Sequence, residues 1–274
     1  MQVESKTLPR RSLKRAKGRR SRVALAVRKI SPYNFTVSCI LPVWREHAIC
    51  KLLAKFDKPY VDEIILVVDE PSQEIKKAIE IGRSKSVPPT TLIYNEKRMG
   101  VGYAIREGLK YSLKKSYDVV VVMAGNGKDN PEEIPRLLKA IEEGYDYVQG
   151  SRFLPGGGHE KTPVLRGLFI RLWPWIWRLL TGAKCTDVTN GFRAYKTRII
   201  KDKRVNIYQE WLNHYALEYY IHYKAITLGY KFTEVPVTKK YMFRHRGGYS
   251  KIVPYRDWIH IVMPLVLLKF GARK

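Results

Sequence analysis

From residue 35 onward the chain alternates short apolar runs with stretches of helical spacing, and each apolar run gives way to polar residues. Residues 35–42, 63–69, 90–94, 118–123 and 145–149 read as strands, and 46–56, 72–81, 101–115 and 131–142 as helices. The fourth run holds five apolar residues without interruption, as in a strand covered on both faces. Such alternation predicts an α/β fold with a mostly parallel, doubly wound sheet. In sheets of this kind a ligand lies beyond the carboxyl ends of the strands. Those ends carry Pro42-Val43-Trp44-Arg45-Glu46, Asp69-Glu70, Asn95-Glu96-Lys97-Arg98 and Ala124-Gly125-Asn126-Gly127-Lys128-Asp129. They are polar where the strands are not, so a site is expected there. Farther on, 210–228 reads as a helix and 231–237 as an edge strand halted by Pro236.

With 45% apolar and 12% aromatic residues, 274 residues can bury a large core, which excludes disorder throughout. Cys39, Cys50 and Cys185 are too few and too scattered for a disulfide framework or a four-ligand zinc site, which suits a reducing compartment. No run of 18 uncharged apolar residues reads as a membrane span. No Gly-x-Gly-x-x-Gly follows the first strand and no Gly-Lys-Ser/Thr loop occurs, which argues against a standard dinucleotide or P-loop site. Gly100-Val101-Gly102 opens a helix, where paired glycines serve close packing more often than phosphate binding.

Charge is unevenly spread. The net value is +26; residues 1–30 hold 11 basic and one acidic residue, 31–160 hold 18 of each, and 161–274 hold 22 basic against 6 acidic. We therefore expect a basic flexible tail (1–33), a charge-balanced half (34–160) and a cationic half (161–274) of the same domain. The tail lacks the apolar centre of a signal peptide. Nucleic acid, an anionic membrane and plain solvation all fit it by itself; each Lys or Arg near an anionic bilayer contributes about 1 kcal/mol. Residues 163–181 combine three tryptophans and three arginines with no acid. That composition suits an interfacial helix and also a core-packing helix with solvated arginines, with Pro174 expected to bend or interrupt it. Residues 259–270, containing Pro264, are too short to span a bilayer but could lie in its surface.

Five segments resemble the family 2 glycosyltransferases, and within them the dolichyl- or polyprenyl-phosphate sugar synthase group. Ile40-Leu41-Pro42-Val43-Trp44-Arg45-Glu46 resembles that family's Ile-Pro-x-Tyr-Asn-Glu, with Arg45 in place of Asn. Val67-Val68-Asp69-Glu70-Pro71-Ser72 resembles Val-Val-Asp-Asp-Gly-Ser, and residues 100–108 resemble Gly-x-Gly-x-Ala. Gly150-Ser151-Arg152-Phe153, with Gly156-Gly157-Gly158 after it, is similar to Gly-Ser-Arg-Tyr and its glycine-rich loop. Asp187-Val188-Thr189-Asn190-Gly191-Phe192-Arg193-Ala194 is similar to Asp-x-Thr-Ser-Gly-Phe-Arg-Ala. The likeness runs from about residue 35 to about 256; the tail lies outside it.

The resemblance implies a GT-A-type fold with a C-terminal helical and edge-strand acceptor region, and an inverting glycosyltransferase. Its donor would be a nucleoside-diphosphate sugar, held by Pro42, Trp44, Glu46, Asp69, Gly102, Arg106, Asn126 and Lys128. Its acceptor would be a lipid phosphate or a glycan. In the lipid-phosphate branch, arginines at the positions of Arg152 and Arg166 bind the acceptor phosphate, a task suited to the guanidinium fork. Ile170 replaces the small hydroxyl residue expected four positions after Arg166. Arg244-His245-Arg246-Gly247-Gly248-Tyr249-Ser250-Lys251 resembles an Arg-x-x-Gly-x-Ser-Lys loop, making Arg246 and Lys251 further phosphate candidates. A hydroxyl acceptor needs a general base, with Asp187 the candidate; an ionised phosphate needs none, and Asp187 would then orient or organise the loop.

One element departs from the family. Where its members carry Asp-x-Asp-x-Gln for a divalent ion, this chain reads Ala124-Gly125-Asn126-Gly127-Lys128. Asp129 is a weak candidate ligand beside Lys128; no cofactor is expected, with Mg2+ or Mn2+, deprived of its usual carboxylates, the alternative. Lys128, helped by Arg106, is expected to stabilise the leaving diphosphate, since that charge requires a positive group and not a metal as such. Asp187, Lys128 and Arg152 form the expected catalytic set, in a protein peripheral at the cytoplasmic face of a membrane. The alternative is a degenerate GT-A scaffold serving as a basic module for lipid or nucleic acid.

Overall fold

The computed structural model describes residues 27–160, 164–240 and 256–271. The chain runs β1 (Val37–Trp44), α1 (Ile49–Leu53), β2 (Glu63–Asp69), α2 (Gln73–Arg83), β3 (Thr90–Asn95), α3 (Val101–Lys114), β4 (Val119–Val122), α4 (Ile134–Glu142), β5 (Tyr147–Ser151) and β6 (Gly158–Glu160). It continues with α5 (Val164–Thr181), β7 (Arg193–Lys196), α6 (Arg198–Lys201), α7 (Ala216–Thr227), β8 (Phe232–Pro236), β9 (Thr238–Lys240) and α8 (Arg256–Lys269). Seven strands form one sheet in the order β3-β2-β1-β4-β7-β5-β8, and β6 pairs with β9 in a small second sheet. All pairs are parallel except the two that β7 makes, with β4 and with β5. The expected doubly wound α/β sheet is present, with β8 at its edge.

Strand alternation builds two apolar layers. Ile40, Ile65, Val67, Val120 and Val122 face α3, α5, α7 and α8, while Cys39, Leu41, Ile64, Leu66, Val68 and Val121 face α1, α2 and α4. Side chains of successive strand residues point to opposite faces, so uninterrupted apolar strands are what two covered faces require. Each fully buried Val, Leu or Ile contributes about 1.5–3 kcal/mol relative to exposure. At the start of α2, Ser72 accepts from the Ile75 N–H at 3.2 Å and supplies the cap.

Three elements differ from expectation. The helix expected over 46–56 is the single turn and a half of α1. The helix expected over 210–228 is broken into a 3-10 turn at Glu210–Leu212 and α7. At the break the Asn213 carbonyl accepts from the Tyr103 N–H at 2.9 Å, a first-turn donor of α3 that has no partner within its own helix. Pro174 does not interrupt α5, which is continuous from Val164 to Thr181. Trp173 and Trp177, on either side of Pro174, are fully buried, and their rings meet Tyr219 and His222 of α7.

Candidate functional site

Parallel β1, β2 and β4 deliver their carboxyl ends to one edge, and β5 ends there too. Because β7 is antiparallel, its beginning arrives at that same edge, with Arg193 opposite Val122 and Gln149. The 187–192 loop therefore stands beside the 124–130 loop and the end of β5. Gln149 Nε2 fastens it by donating to the carbonyls of Asp187, at 3.2 Å, and Asn190, at 2.6 Å. On the other side, the 124–128 loop meets the end of β1: a Cβ on Gly125 would lie 2.6 Å from the Pro42 carbonyl oxygen, and one on Gly127 3.6 Å from Ala48 Cβ.

The ends of β1 and β2 carry a cation–aromatic cluster. The Trp44 indole N–H donates to Glu70 at 2.9 Å, and Arg98 lies 3.7 Å from the Trp44 ring centroid, with Arg45 5.3 Å from it. Arg45 also pairs with Glu70 at 3.3 Å. The Trp44 N–H, followed by the Arg45 and Arg98 guanidinium groups, lowers the Glu70 pKa from its ordinary value. Arg45 and Glu70 both hold left-handed backbone, at φ 52° and 48°. Such conformations cost about 1–3 kcal/mol for side-chain-bearing residues and concentrate at functional sites. Sequence reasoning singled out Trp44 here but not Glu70 or Arg98; the signal available was their place at neighbouring strand ends.

Asp69 is buried and spends itself on the protein. It accepts from Asn95 Nδ2 at 2.8 Å and from the backbone N–H groups of Met99 and Gly100 at 2.9 and 3.1 Å, fixing the approach to α3. Glu46 is likewise buried. Gly102 and Arg106, expected at the donor, have close partners within the protein. A Cβ on Gly102 would lie 1.9 Å from the Leu212 carbonyl oxygen, so this glycine serves close packing. The Arg106 guanidinium donates to Ile207 O, Gln209 O and, at 2.6 Å, Asn213 Oδ1, which ties it to the 207–213 segment instead of to Lys128.

At the end of β5, Arg152 grips Asp187 through Nε to Oδ2 and Nη2 to Oδ1, both at 2.6 Å, and Nη2 also reaches Thr189 Oγ1 at 2.7 Å. Both side chains are almost wholly buried. The two Asp187 oxygens are thus engaged by a cation, a geometry suited to organising the loop more than to accepting a proton. Arg166 lies in the first turn of α5, and Arg246 and Lys251 lie outside the described residues, as does the basic tail through residue 26.

In the altered loop, Asn126 Oδ1 accepts from the Lys128 N–H at 3.2 Å and shapes the turn. Asp129, the weak ligand candidate, is buried, takes the Ala124 N–H at 2.9 Å on Oδ2, and pairs through Oδ1 with Lys239 Nζ at 2.8 Å. A divalent ion needs carboxylate oxygens open to it. The single carboxylate of the loop is occupied, so these residues do not fit one. Among the described residues no group of three or more His, Cys, Asp or Glu side chains could hold a metal ion.

On the cationic half, α5 turns Trp173, Trp177 and Leu180 inward and leaves Leu172, Trp175, Ile176 and Leu179 exposed, with Leu179 81% accessible. Their spacing of three and four residues makes one apolar stripe. No helix among the described residues is long and apolar enough to cross a membrane.

Comparison with known proteins gives concordant results. The sequence pattern of glycosyl transferase family 2 matches residues 38–203. A polyprenol monophosphomannose synthase of Mycolicibacterium smegmatis is 30% identical over 210 residues, covering 76% of this chain and 75% of that one. An undecaprenyl-phosphate mannosyltransferase of Micrococcus luteus is 28% identical over 206 residues, covering 74% and 82%. A solved glucosyl-3-phosphoglycerate synthase from Mycobacterium tuberculosis, in complex with Mn2+, UDP and glucosyl-3-phosphoglycerate, superposes with a TM-score of 0.57 over 88% of this chain and 82% of that one, at 17% identity. The last is a likeness of fold.

Proposed function

This chain belongs to glycosyl transferase family 2, and on that premise we propose that it moves a sugar from a nucleoside-diphosphate sugar to a polyprenyl-type lipid phosphate at a membrane surface, without a divalent ion. The observation that carries the reading is the sheet edge where the 42–46, 69–70, 124–130 and 187–192 segments converge. Both relatives are named for transfer to polyprenyl phosphates.

The nucleoside lies against Pro42, Trp44 and Glu46, with Glu70 the half-buried acid at the end of β2 and Asp69 holding the loop beneath it. Asn126 and Lys128 face the diphosphate. An oxygen of the acceptor phosphate forms the bond to the anomeric carbon as the bond to the nucleoside diphosphate breaks, with inversion. The acceptor is already ionised, so no base is needed, in keeping with an Asp187 committed to Arg152. Lys128 stabilises the charge gathering on the leaving diphosphate. Arg166, Arg246 and Lys251 are the acceptor-side cations, and Arg152 fixes the 187–192 loop through Asp187. The α5 stripe and the surrounding positive charge seat the protein on an anionic bilayer, where such an acceptor resides.

Thermal-shift titration with UDP and GDP in excess EDTA, followed by transfer to a short polyprenyl phosphate, tests the reading. Stabilisation by one nucleoside diphosphate and transfer without added metal are expected. A protein that neither nucleotide stabilises is a binding scaffold and not a transferase.

A further inference from the structure

Lys239 belongs to β9, 110 residues beyond its partner Asp129, and has no place in the sequence motifs that define the site. Its ammonium nevertheless meets the end of the altered loop. Nζ lies 2.8 Å from Asp129 Oδ1 and 3.0 Å from Asn190 Oδ1, with only 10% of the side chain exposed and none of Asp129. Asn190 Oδ1 in turn accepts the Phe192 N–H at 3.1 Å. The bridge is reinforced around it: the Lys240 N–H donates to the Lys128 carbonyl at 3.0 Å, and Glu133 accepts from the Thr238 N–H and hydroxyl. One cation thus joins the 124–130 loop to the 187–191 loop and neutralises the sole carboxylate of the former.

A bound divalent ion performs those two tasks in a nucleotide site: it cancels carboxylate charge and clamps loops together. We propose that Lys239 is a tethered stand-in for the divalent cation, a positioning residue that closes Asp129 to metal and lets a diphosphate approach the loop without carboxylate repulsion. The proposal rests on the donor reading above. Lys128 faces the ligand in that reading; Lys239 lies beneath it and acts through Asp129. One carboxylate together with substrate phosphates suffices for Mg2+ in many sites, so Asp129 without its ammonium is a latent metal ligand.

The consequence is a change of metal dependence, which a merely structural lysine does not produce. Nucleoside diphosphate affinity is measured by titration calorimetry, in EDTA and in Mn2+, for the wild type, Lys239→Met, Lys239→Arg and the neutral pair Asp129→Asn/Lys239→Met. The wild type is expected to bind equally in both conditions. Lys239→Met is expected to lose at least tenfold in EDTA and to recover most of it in Mn2+, with free Mn2+ depletion seen by paramagnetic resonance. Lys239→Arg keeps wild-type affinity. The neutral pair regains affinity in EDTA to within about threefold of wild type and ignores Mn2+, as a coupled pair requires. Lys239→Met that binds alike with and without Mn2+, or a neutral pair as weak as the single variant, overturns the proposal. Should Lys239→Met fail to fold, the neutral pair and Lys239→Arg still decide it: a folded neutral pair tenfold weaker than wild type in EDTA refutes the stand-in. A wild type that binds no nucleoside diphosphate under either condition refutes the donor reading itself, a result separable from all of these.

Discussion

The guanidinium of Arg152 holds both oxygens of Asp187 at 2.6 Å in a pair that water barely reaches. The two residues come from motifs 35 positions apart, and their union fixes the end of β5 to the loop that precedes β7. An uncompensated buried charge is costly, so breaking one side of the pair is expected to cost about 3–5 kcal/mol. Urea unfolding of Asp187→Ala and Arg152→Ala measures this directly. A change below about 1 kcal/mol means that the pair is solvated and that Asp187 is open to another role.

The N-terminus of α3 makes a different kind of demand. A Cβ on Gly102 would meet the carbonyl oxygens of Leu212 and His214 at 1.9 and 2.4 Å, and backbone on both sides cannot yield cheaply. Gly102→Ala is expected to destabilise by about 1–3 kcal/mol and to expose the Tyr103 amide to hydrogen exchange. Gly191→Ala, whose Cβ would stand 3.5 Å from the Glu218 side chain, is the tolerant comparison.

Acid sensitivity follows from His222. Its ring stacks on Tyr147 at a centroid distance of 4.7 Å and meets the tilted rings of Trp177 and Phe232 at 4.6 and 4.9 Å, and both ring nitrogens are buried without a hydrogen-bond partner. Burial, then the nearby Arg193 charge, holds its pKa well below the ordinary value. The unfolded chain therefore takes up this proton first as pH falls. Stability contributed by the neutral ring is complete above about pH 6.5 and is lost below it at about 1.4 kcal/mol per pH unit, until the folded-state pKa is reached. Unfolding free energies at pH 7.5, 6.0 and 5.0 should show this decline, and His222→Phe should reduce it. An equal slope in the variant assigns the sensitivity elsewhere.

The α5 stripe is separable from the fold. Leu172, Trp175 and Leu179 are 53%, 69% and 81% exposed, so replacing all three by Gln should leave the melting midpoint nearly unchanged. Each apolar side chain moved out of water contributes about 1.5–3 kcal/mol, so cosedimentation with phosphatidylglycerol vesicles should fall at least tenfold. Raised salt should weaken the wild type as well. Vesicle binding that survives the triple change locates the contact elsewhere on the cationic half.

Local pattern made the parallel strands, the capped α2 and the polar strand ends readable from sequence, because each depends on residues close together in the chain. The Gly100-Val101-Gly102 segment was read as more suited to packing than to phosphate, and its contact with Asn213 gives that reading a partner. The rest depends on tertiary context. Nothing within residues 124–130 shows that Lys239 will arrive to pair with Asp129, and nothing around Pro174 shows that two buried tryptophans will carry α5 through it. The likeness of residues 100–108 to a family segment marks Arg106 for the donor; its Asn213 partner, 107 residues away, is legible only in the fold. Glu70 and Arg98 stand at polar strand ends in the sequence, but their joint hold on Trp44 depends on β1 lying beside β2.

The reversed strand β7 also governs the order in which the chain can be assembled. β4 and β5 are consecutive in sequence, yet β7 lies between them. During synthesis β1 to β4 can zip together as they emerge, but β5 must wait for more than forty further residues before its inner neighbour exists. Ribosome-bound or truncated chains ending before residue 196 therefore keep an open hydrogen-bonding edge on β4 and an orphaned β5, a stretch vulnerable to chaperone capture or mispairing. The candidate site is therefore completed only when β7 joins the sheet and brings the 187–192 loop beside strand ends made long before.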